Sequence, residues 1–307
     1  MNRILTATRR ARSPLPIGAP VALAFLLAAC GGGGGGGSSA VPTVSSVSAG
    51  SVKYSQSLVI TVTGTDVDQG LVVSSPSCVG MALSGSAPYV SSATTAYYRC
   101  RASALGANVV TVVRAADSAT LGSASFNVPT PQVTMTLNAG AASLGSFVLT
   151  LAPDRTPITV DNFLNYVNTG FYVGTVFHRV LPLPAPLPLV QGGGYLPITP
   201  PTAPVAKATN PPIVLETGKG LGNVQWSVAM ARVNVPDTAT ATSQFFINLQ
   251  NNPSLDTSGG GYAVFGAVSA GFDVVTAVST APCMALAGFS ECVPNTNILI
   301  TSAVQTQ

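Results

Sequence analysis

A histidine and an arginine, His178 and Arg179, stand side by side in an apolar stretch of this sequence. His178 is the only histidine, and only 7% of all residues are charged. An arginine among apolar neighbours in such a chain needs a specific role. Its guanidinium stays protonated at physiological pH and carries donors in a rigid fork, so it can stabilise a polar group without acid–base chemistry. Arg179 is therefore the first candidate for a functional residue.

Six short blocks lie around and after this pair. They read FHRV at 177–180, QGG at 191–193, AMAR at 229–232, SQFFIN at 243–248, LD at 255–256 and GYAVFG at 261–266. In this order they resemble the cyclophilin family of peptidyl-prolyl cis-trans isomerases, and most closely its bacterial periplasmic type. The resemblance extends from about residue 131 to the end of the sequence. It implies an enzyme that accelerates the cis–trans isomerisation of X-Pro bonds.

The resemblance also implies the residues of the site. Arg179 is the catalytic residue, which would stabilise the twisted amide without a covalent intermediate. Seven further residues are expected to bind the substrate. Gln191 would hold the peptide, and Phe246 would form the floor of an apolar proline pocket. The walls of the pocket would be Leu189, Met230, Leu255 and Tyr262, and His178 is the seventh residue. Because the reaction moves no proton, we expect His178 to be packed and hydrogen-bonded rather than an acid or base. Neither a cofactor nor a metal ion is expected.

The sequence departs from the family pattern at three places. The segment between Arg179 and Gln191 is longer than usual, and the expected pocket phenylalanine falls on Pro184 or Pro188, so Leu183 or Leu187 would have to fill the gap. Another wall position, usually aromatic, is Ser254. Trp226 stands in a turn where the family has glycine. Each lost apolar contact lowers the expected affinity or rate, because a buried apolar side chain contributes about 1.5 to 3 kcal/mol.

These departures keep two further readings open. The first alternative is a catalytically weak module that binds proline-containing segments. The second makes the N-terminal part an adhesion or docking domain and the barrel secondary. The isomerase is the reading that we favour, because the Arg179, Gln191 and Phe246 set is intact.

The N-terminus predicts export. Residues 1–29 combine four arginines with a short apolar run, as in a secretory signal peptide. The ending before Cys30 looks like a bacterial lipoprotein signal, so we expect Cys30 to be lipidated, residues 30–40 to form a Gly/Ser tether and the protein to be anchored in the outer membrane facing the periplasm. The expected partners are the membrane and proline-containing exported polypeptides, and the protein is expected to be a monomer.

Charge and cysteine use agree with this location. Without the four N-terminal arginines, nine of the 13 basic residues remain against ten acidic ones, which gives no basic surface for nucleic acid. Four cysteines remain after Cys30, in two local pairs, Cys78 with Cys100 and Cys283 with Cys292. An even number in an exported chain predicts disulfide bonds.

The remaining pattern predicts two mainly β domains. Residues 41–130 contain alternating runs at 57–63, 96–101, 108–114 and 123–128 and favour a small Ig-like β-sandwich. Proline at 129 and 131 predicts a stiff junction. Residues 131–307 are predicted to form the cyclophilin-like domain, an eight-stranded antiparallel β-barrel capped by two helices. The helices are expected from Thr156, as N-cap, to Gly170 and at 272–278.

Overall fold

The structure is a computed structural model that describes residues 41–199, 202–233, 239–286, 288–289 and 291–307. The predicted signal peptide, the predicted lipid attachment at Cys30 and the predicted Gly/Ser tether lie outside these residues. Within the described part, no helix has both the length and the apolar character needed to cross a membrane.

The first described part consists of short antiparallel strands. They are β1 (Thr43–Ala49), β2 (Ser57–Thr65), β3 (Leu71–Ser74), β4 (Cys78–Leu83), β5 (Gly85–Ser86), β6 (Tyr89–Val90), β7 (Thr95–Ala102), β8 (Gly106–Arg114) and β9 (Thr120–Val128). One sheet has the order β1-β2-β7-β4, another the order β3-β8-β9, and β5 pairs with β6. All four strands predicted here are present, and the mainly β character is confirmed.

Alternation explains how these sheets form a core. In β2 the side chains of Leu58, Ile60 and Val62 are buried, while the residues between them are partly exposed. Successive side chains of a strand point to opposite faces, so this pattern gives each sheet one apolar face. Val110 and Val112 of β8 belong to the same buried cluster as the β2 residues. The two larger sheets therefore bury their apolar faces in one core.

The second part contains ten strands and two α-helices. They are β10 (Gln132–Ala139), β11 (Ala142–Leu151), α1 (Pro157–Asn168), β12 (Val176–Leu181), β13 (Leu189–Tyr195), β14 (Ser227–Met230), β15 (Phe245–Asn248), β16 (Val264–Ala270), α2 (Phe272–Ser279), β17 (Cys283–Met284), β18 (Val293–Pro294) and β19 (Ile298–Gln305), with 3₁₀ turns at Pro253–Asp256 and Ser258–Gly260. Eight strands close a barrel in the order β10-β11-β16-β14-β15-β13-β12-β19. The predicted antiparallel barrel with two helices is confirmed.

Helix α1 begins and ends where its sequence predicts, but its cap comes from elsewhere. Thr156 makes no side-chain capping bond. The carboxylate of Glu216 instead accepts hydrogen bonds from the backbone N–H of Ile158 and of Thr159, at 3.2 and 2.7 Å. Thr156 therefore holds the predicted N-cap position, but Glu216 supplies the capping bonds. A carboxylate satisfies the free N–H groups and also interacts favourably with the positive end of the helix dipole.

Polar side chains join the first part to the barrel. Arg101 of β7 forms an ion pair with Asp161 of α1, with 2.9 Å between Nη1 and Oδ2. Gln305 of β19 donates to the carbonyl of Tyr54 and accepts from Gln56, both at 3.0 Å. These bonds are specific in geometry, so they fix where the first sheets contact the barrel.

Candidate active site

The strand register of the barrel places four side chains in one row. Arg179 of β12 lies opposite Gln191 of β13, Gln191 lies opposite Phe246 of β15, and Phe246 lies opposite Ala229 of β14. Their sequence neighbours Val180, Val190, Ile247 and Val228 are fully buried in the barrel core. Because side chains alternate along a strand, the row occupies the outer face of the barrel.

A bulge in β12 brings His178 and Arg179 to the site together. Phe177 lies opposite Gly192, but the next paired residue, Arg179, lies opposite Gln191, so the register shifts between them. Phe177 and Val180 both belong to the barrel core. An inserted residue bends a strand and redirects its side chains, and such bulges are frequent beside active sites.

A small apolar cavity lies beside Arg179. Its volume is about 170 Å³, and it is lined by Arg179, Leu187, Leu189, Gln191, Ala231, Arg232, Phe246, Leu255 and Tyr262. The apolar members form a buried cluster separate from the barrel core. Pockets for drug-sized ligands usually exceed 300 Å³, so this cavity suits a single side-chain ring. Among the described residues no group of three His, Cys, Asp or Glu could hold a metal ion.

Two acceptors hold the Arg179 guanidinium. Its Nη1 donates to Oε1 of Gln191 at 3.1 Å, and its Nη2 donates to Oε1 of Glu291 at 2.5 Å. The side chains of Arg179 and Glu291 are 29% and 25% exposed, so water screens their attraction only in part. Gln191 is itself fixed, because its amide nitrogen donates to Oε1 of Gln244 at 2.8 Å.

His178 is a packed aromatic residue. Only 2% of it is exposed, and its ring lies 4.7 Å from that of Tyr195 and 5.6 Å from that of Phe289. Burial lowers the pKa of His178 to about 4, and the charge of Arg179 also lowers it. The imidazole is therefore neutral near pH 7. His178 lines a second cavity of about 300 Å³ together with Arg179 and Gln191, but not the apolar cavity.

A second arginine stands at the rim of the apolar cavity. Arg232 donates from Nη2 to the carbonyl of Gly259 at 2.8 Å, and its guanidinium carbon lies 4.9 Å from the centre of the Tyr262 ring. Tyr262 in turn packs edge-on against Phe246 at 5.5 Å. Arg232 thereby fixes the ring that forms one wall of the cavity.

One predicted wall residue lies elsewhere. Met230 is buried in the barrel core opposite Phe245, and it does not line the cavity. The prediction for Met230 was wrong because strand alternation turns it inward. The neighbouring Ala231 lines the cavity in its place. The cavity is also lined by Leu189, Leu255, Tyr262, Phe246 and Gln191.

The three departures from the family pattern have different outcomes. Leu187 lines the cavity, whereas Leu183 is 62% exposed, so Leu187 fills the gap left at Pro184 and Pro188. Ser254 is exposed and does not line the cavity, so this position does not supply the expected wall. Trp226 has a φ of 67°, the left-handed region that favours glycine. Its ring packs 5.1 Å from that of Phe272.

Glu291, Arg232 and Phe289 were not foreseen as site residues. The sequence offered one indication of Glu291: it is one of only ten acidic residues, and it directly precedes Cys292. None of the six blocks contains it. Its position depends on a loop whose conformation no local pattern encodes.

The site is a small apolar cavity on the outer face of a closed barrel, with an arginine at its rim. It suits a ligand that has an apolar ring and, next to the ring, a group that the arginine can polarise. Residues 133–305 match the family described as "Cyclophilin type peptidyl-prolyl cis-trans isomerase/CLD". The chain is 41% identical over 163 residues to peptidyl-prolyl cis-trans isomerase A of Dickeya dadantii, a match that covers 52% of this chain and 80% of that protein.

A further relative and a solved structure are similar to the same part. Peptidyl-prolyl cis-trans isomerase B of Escherichia coli is 39% identical over 163 residues, which cover 52% of this chain and 92% of that protein. A cyclophilin type isomerase of Cryptosporidium parvum matches with a TM-score of 0.44 and 21% identity over 58% of this chain and 98% of that one. This chain belongs to the cyclophilin-type peptidyl-prolyl cis-trans isomerase family. The resemblance and the enzyme class inferred from the six blocks are thereby confirmed.

Proposed function

We propose that the chain isomerises X-Pro bonds of exported polypeptides with Arg179 as the catalytic residue. The proline ring enters the apolar cavity over Phe246, and the guanidinium donates to the prolyl nitrogen as the amide twists. Gln191 holds the substrate backbone beside it. The observation that carries the proposal is that one strand register places Arg179, Gln191 and Phe246 side by side at the same cavity.

The chemistry requires little more than these groups. Amide resonance sets a rotation barrier of about 18 to 20 kcal/mol, and twisting the bond localises a lone pair on nitrogen. A charge-assisted hydrogen bond to that nitrogen contributes about 1.5 to 3 kcal/mol if it forms mainly in the twisted state. That corresponds to a rate increase of about ten- to a hundredfold. No covalent intermediate is formed.

No acid or base takes part in this mechanism. The buried His178 has a pKa lowered to about 4, so it neither gains nor loses a proton near neutral pH. Its packing against Tyr195 and Phe289 supports a structural role beside Arg179. The rate of the isomerase should therefore be nearly constant between pH 6 and pH 8.

The cellular context is part of the proposal. The signal-like residues 1–29 and Cys30 support a lipid-anchored protein of the bacterial envelope, most simply in the outer membrane facing the periplasm. The disulfides Cys78–Cys100 and Cys283–Cys292 fit an oxidising compartment. In such a compartment, slow proline isomerisation limits the folding of many newly exported chains. Cell fractionation with the Cys30→Ala variant tests the anchor, because release from the membrane fraction is expected.

The catalytic assignment is tested with a proline-containing peptide and the full chain. We expect Arg179→Ala to lower kcat/KM by about ten- to a hundredfold. Arg155→Ala is the matched control, because Arg155 pairs with its neighbour Asp154 at the surface, and it should retain the full rate. Full activity of Arg179→Ala would contradict the assignment.

The weak binding module remains the second candidate because Ser254 does not line the cavity at a position where the family usually has an aromatic wall residue. The same preparation distinguishes the two functions. Peptide binding by the unaltered chain without any acceleration over buffer would favour the binding module and exclude the isomerase.

A further inference from the structure

The loop closed by the disulfide Cys283–Cys292 lies directly against the strand that carries Arg179. The backbone N–H of Val180 donates to the carbonyl of Cys292 at 2.9 Å, so the loop continues the hydrogen bonding of β12. At the base of the loop Met284 pairs with Val293. The loop is thus fixed by a covalent bond, by strand pairing at its base and by pairing with β12.

Two side chains of this loop contact the site. Phe289 packs 5.6 Å from the ring of His178 and 5.3 Å from that of Tyr195. Glu291 accepts the hydrogen bond of Arg179 Nη2 at 2.5 Å. One loop therefore contacts both residues of the bulge in β12, His178 through an aromatic ring and Arg179 through a carboxylate.

We propose that Glu291 is a positioning residue for catalysis, which holds the Arg179 guanidinium in its working orientation before the substrate binds. This inference rests on the proposed function. Glu291 does not touch the substrate in this scheme. It acts through Arg179, and the disulfide loop keeps it in place.

The hydrogen bonds of the guanidinium favour this role. Gln191 accepts from Nη1 and Glu291 from Nη2, so both terminal nitrogens are held and rotation of the planar group is prevented. An arginine side chain has many rotamers, and fixing it in advance removes an ordering step from the reaction. The Arg179 Nε is buried and has no hydrogen-bond partner among the described residues. The guanidinium therefore keeps donors that neither acceptor uses.

The same contacts argue against an inhibitory role. A carboxylate that blocked Arg179 would have to withdraw when the substrate arrives. Glu291 precedes a residue that is bound both to Cys283 and to the backbone of Val180, so withdrawal would break the pairing with β12. Because Glu291 is held in place, it is better suited to preorganise the Arg179 donor than to block it reversibly.

The test measures kcat and KM of the full chain with a proline peptide. We expect Glu291→Ala to lower kcat about tenfold and to change KM less than twofold, because the donor is misplaced while the apolar cavity is intact. Glu291→Gln keeps a neutral acceptor of the same shape, so it should lose about threefold in kcat. In the Arg179→Ala background, Glu291→Ala should cause no further loss.

A second readout separates positioning from general stabilisation. The NMR signal of the Arg179 Nε–H should be single and sharp in the unaltered chain and broadened in Glu291→Ala, while the other arginine signals stay unchanged. If Glu291→Ala does not fold, Glu291→Gln decides: a threefold lower kcat at constant KM supports the proposal, and an unchanged kcat overturns it.

Three results with the alanine variant would also overturn the inference. They are an unchanged or higher kcat in Glu291→Ala, a loss confined to KM, and a full additional loss in the Arg179→Ala background. Failure of the proposed function itself looks different. In that case the unaltered chain gives no acceleration, or Arg179→Ala has full activity, before Glu291 is changed.

Discussion

The two disulfides of this protein have the same chemistry and different surroundings. Cys78–Cys100 joins β4 to β7, which are already neighbours in one sheet, and it closes a segment of 22 residues. Cys283–Cys292 closes a segment of nine residues that carries Glu291 to Arg179. The first bond strengthens a sheet that would pair without it, whereas the second holds a loop in place beside the site. The neighbours of a crosslink, rather than its chemistry, decide whether it affects catalysis.

The largest effect is expected when each disulfide is removed by a Cys→Ala pair. Loop-closure entropy predicts that either removal lowers the free energy of unfolding by about 3 kcal/mol. Removal of Cys283 and Cys292 should also lower kcat about tenfold, as Glu291→Ala does, because Glu291 loses its support. Removal of Cys78 and Cys100 should leave kcat unchanged. Chemical denaturation measures the stability and the peptide assay measures kcat. Equal kcat values for the two variants would show that the two disulfides do not differ in their effect on catalysis.

The acid sensitivity of His178 gives the next largest effect. Its pKa is lowered from 6.5 to about 4 in the folded state, so the unfolded chain binds more protons between these values. The contribution of His178 to the free energy of unfolding should therefore be fully present above pH 6.5. On acidification to pH 4.5 the free energy of unfolding should fall by about 2 to 3 kcal/mol. His178→Phe should lose this part of the pH dependence.

The loop closed by Cys283–Cys292 should control the pH dependence of stability that His178 causes. Phe289 shields His178, so removal of Cys283–Cys292 should weaken the pH dependence, while removal of Cys78–Cys100 should leave it intact. Denaturation at pH 7 and pH 4.5 measures the change. The same slope in all variants would show that His178 is not the responsible group.

Two leucines of the inserted segment repeat the contrast on a smaller scale. Leu187 lines the apolar cavity, whereas Leu183 is mostly exposed. We expect Leu187→Ala to raise KM about fivefold, because part of the apolar contact with the proline ring is lost. Leu183→Ala is the matched control and should behave like the unaltered chain. A larger effect at Leu183 would mean that the other leucine forms the wall.

The smallest effect concerns backbone strain in the barrel. The non-glycine residues with left-handed φ in the first part are the small polar Ser55, Asp66 and Ser118, whereas in the barrel the position is held by Trp226. Both Trp226→Ala and Trp226→Gly remove the contact with Phe272, but only glycine relieves the strain. The glycine variant should be more stable than the alanine variant by about 1 kcal/mol in thermal or chemical unfolding. Equal stabilities would show that the turn is unstrained.

Much of the fold could be predicted because its signals are local. Alternating residues in 57–63 and the apolar spacing of 157–168 identify β2 and α1 without any distant contact. Closure of the strands into a barrel could not be read from alternation, and only the resemblance implied it; the strand order comes from the structure. Thr156 shows the limit of local signals, since the cap of α1 is Glu216, which lies 57 positions after Thr159.

The site divides in the same way. Arg179, Gln191 and Phe246 lie in strands of the barrel, and the strand register brings them to one cavity. Met230 was misplaced by matching residue types without counting the alternation that turns it inward. Glu291 escaped notice because its contact with Arg179 spans 112 positions and depends on a loop held by a crosslink. A loop residue that contacts a strand residue far away in the sequence can be identified only from the three-dimensional structure.

The closure of the barrel has a consequence for its synthesis. The first barrel strand, β10, pairs on one side with β19, and Thr301 bonds to Thr136 across 165 positions. Until residues 298–305 have been made, β10 presents an unpaired edge that can join strands of other chains. Such distant pairing also slows folding. This chain is therefore prone to association with other strands until its own last strand has been made, and shielding of that edge by a holding chaperone should raise its yield.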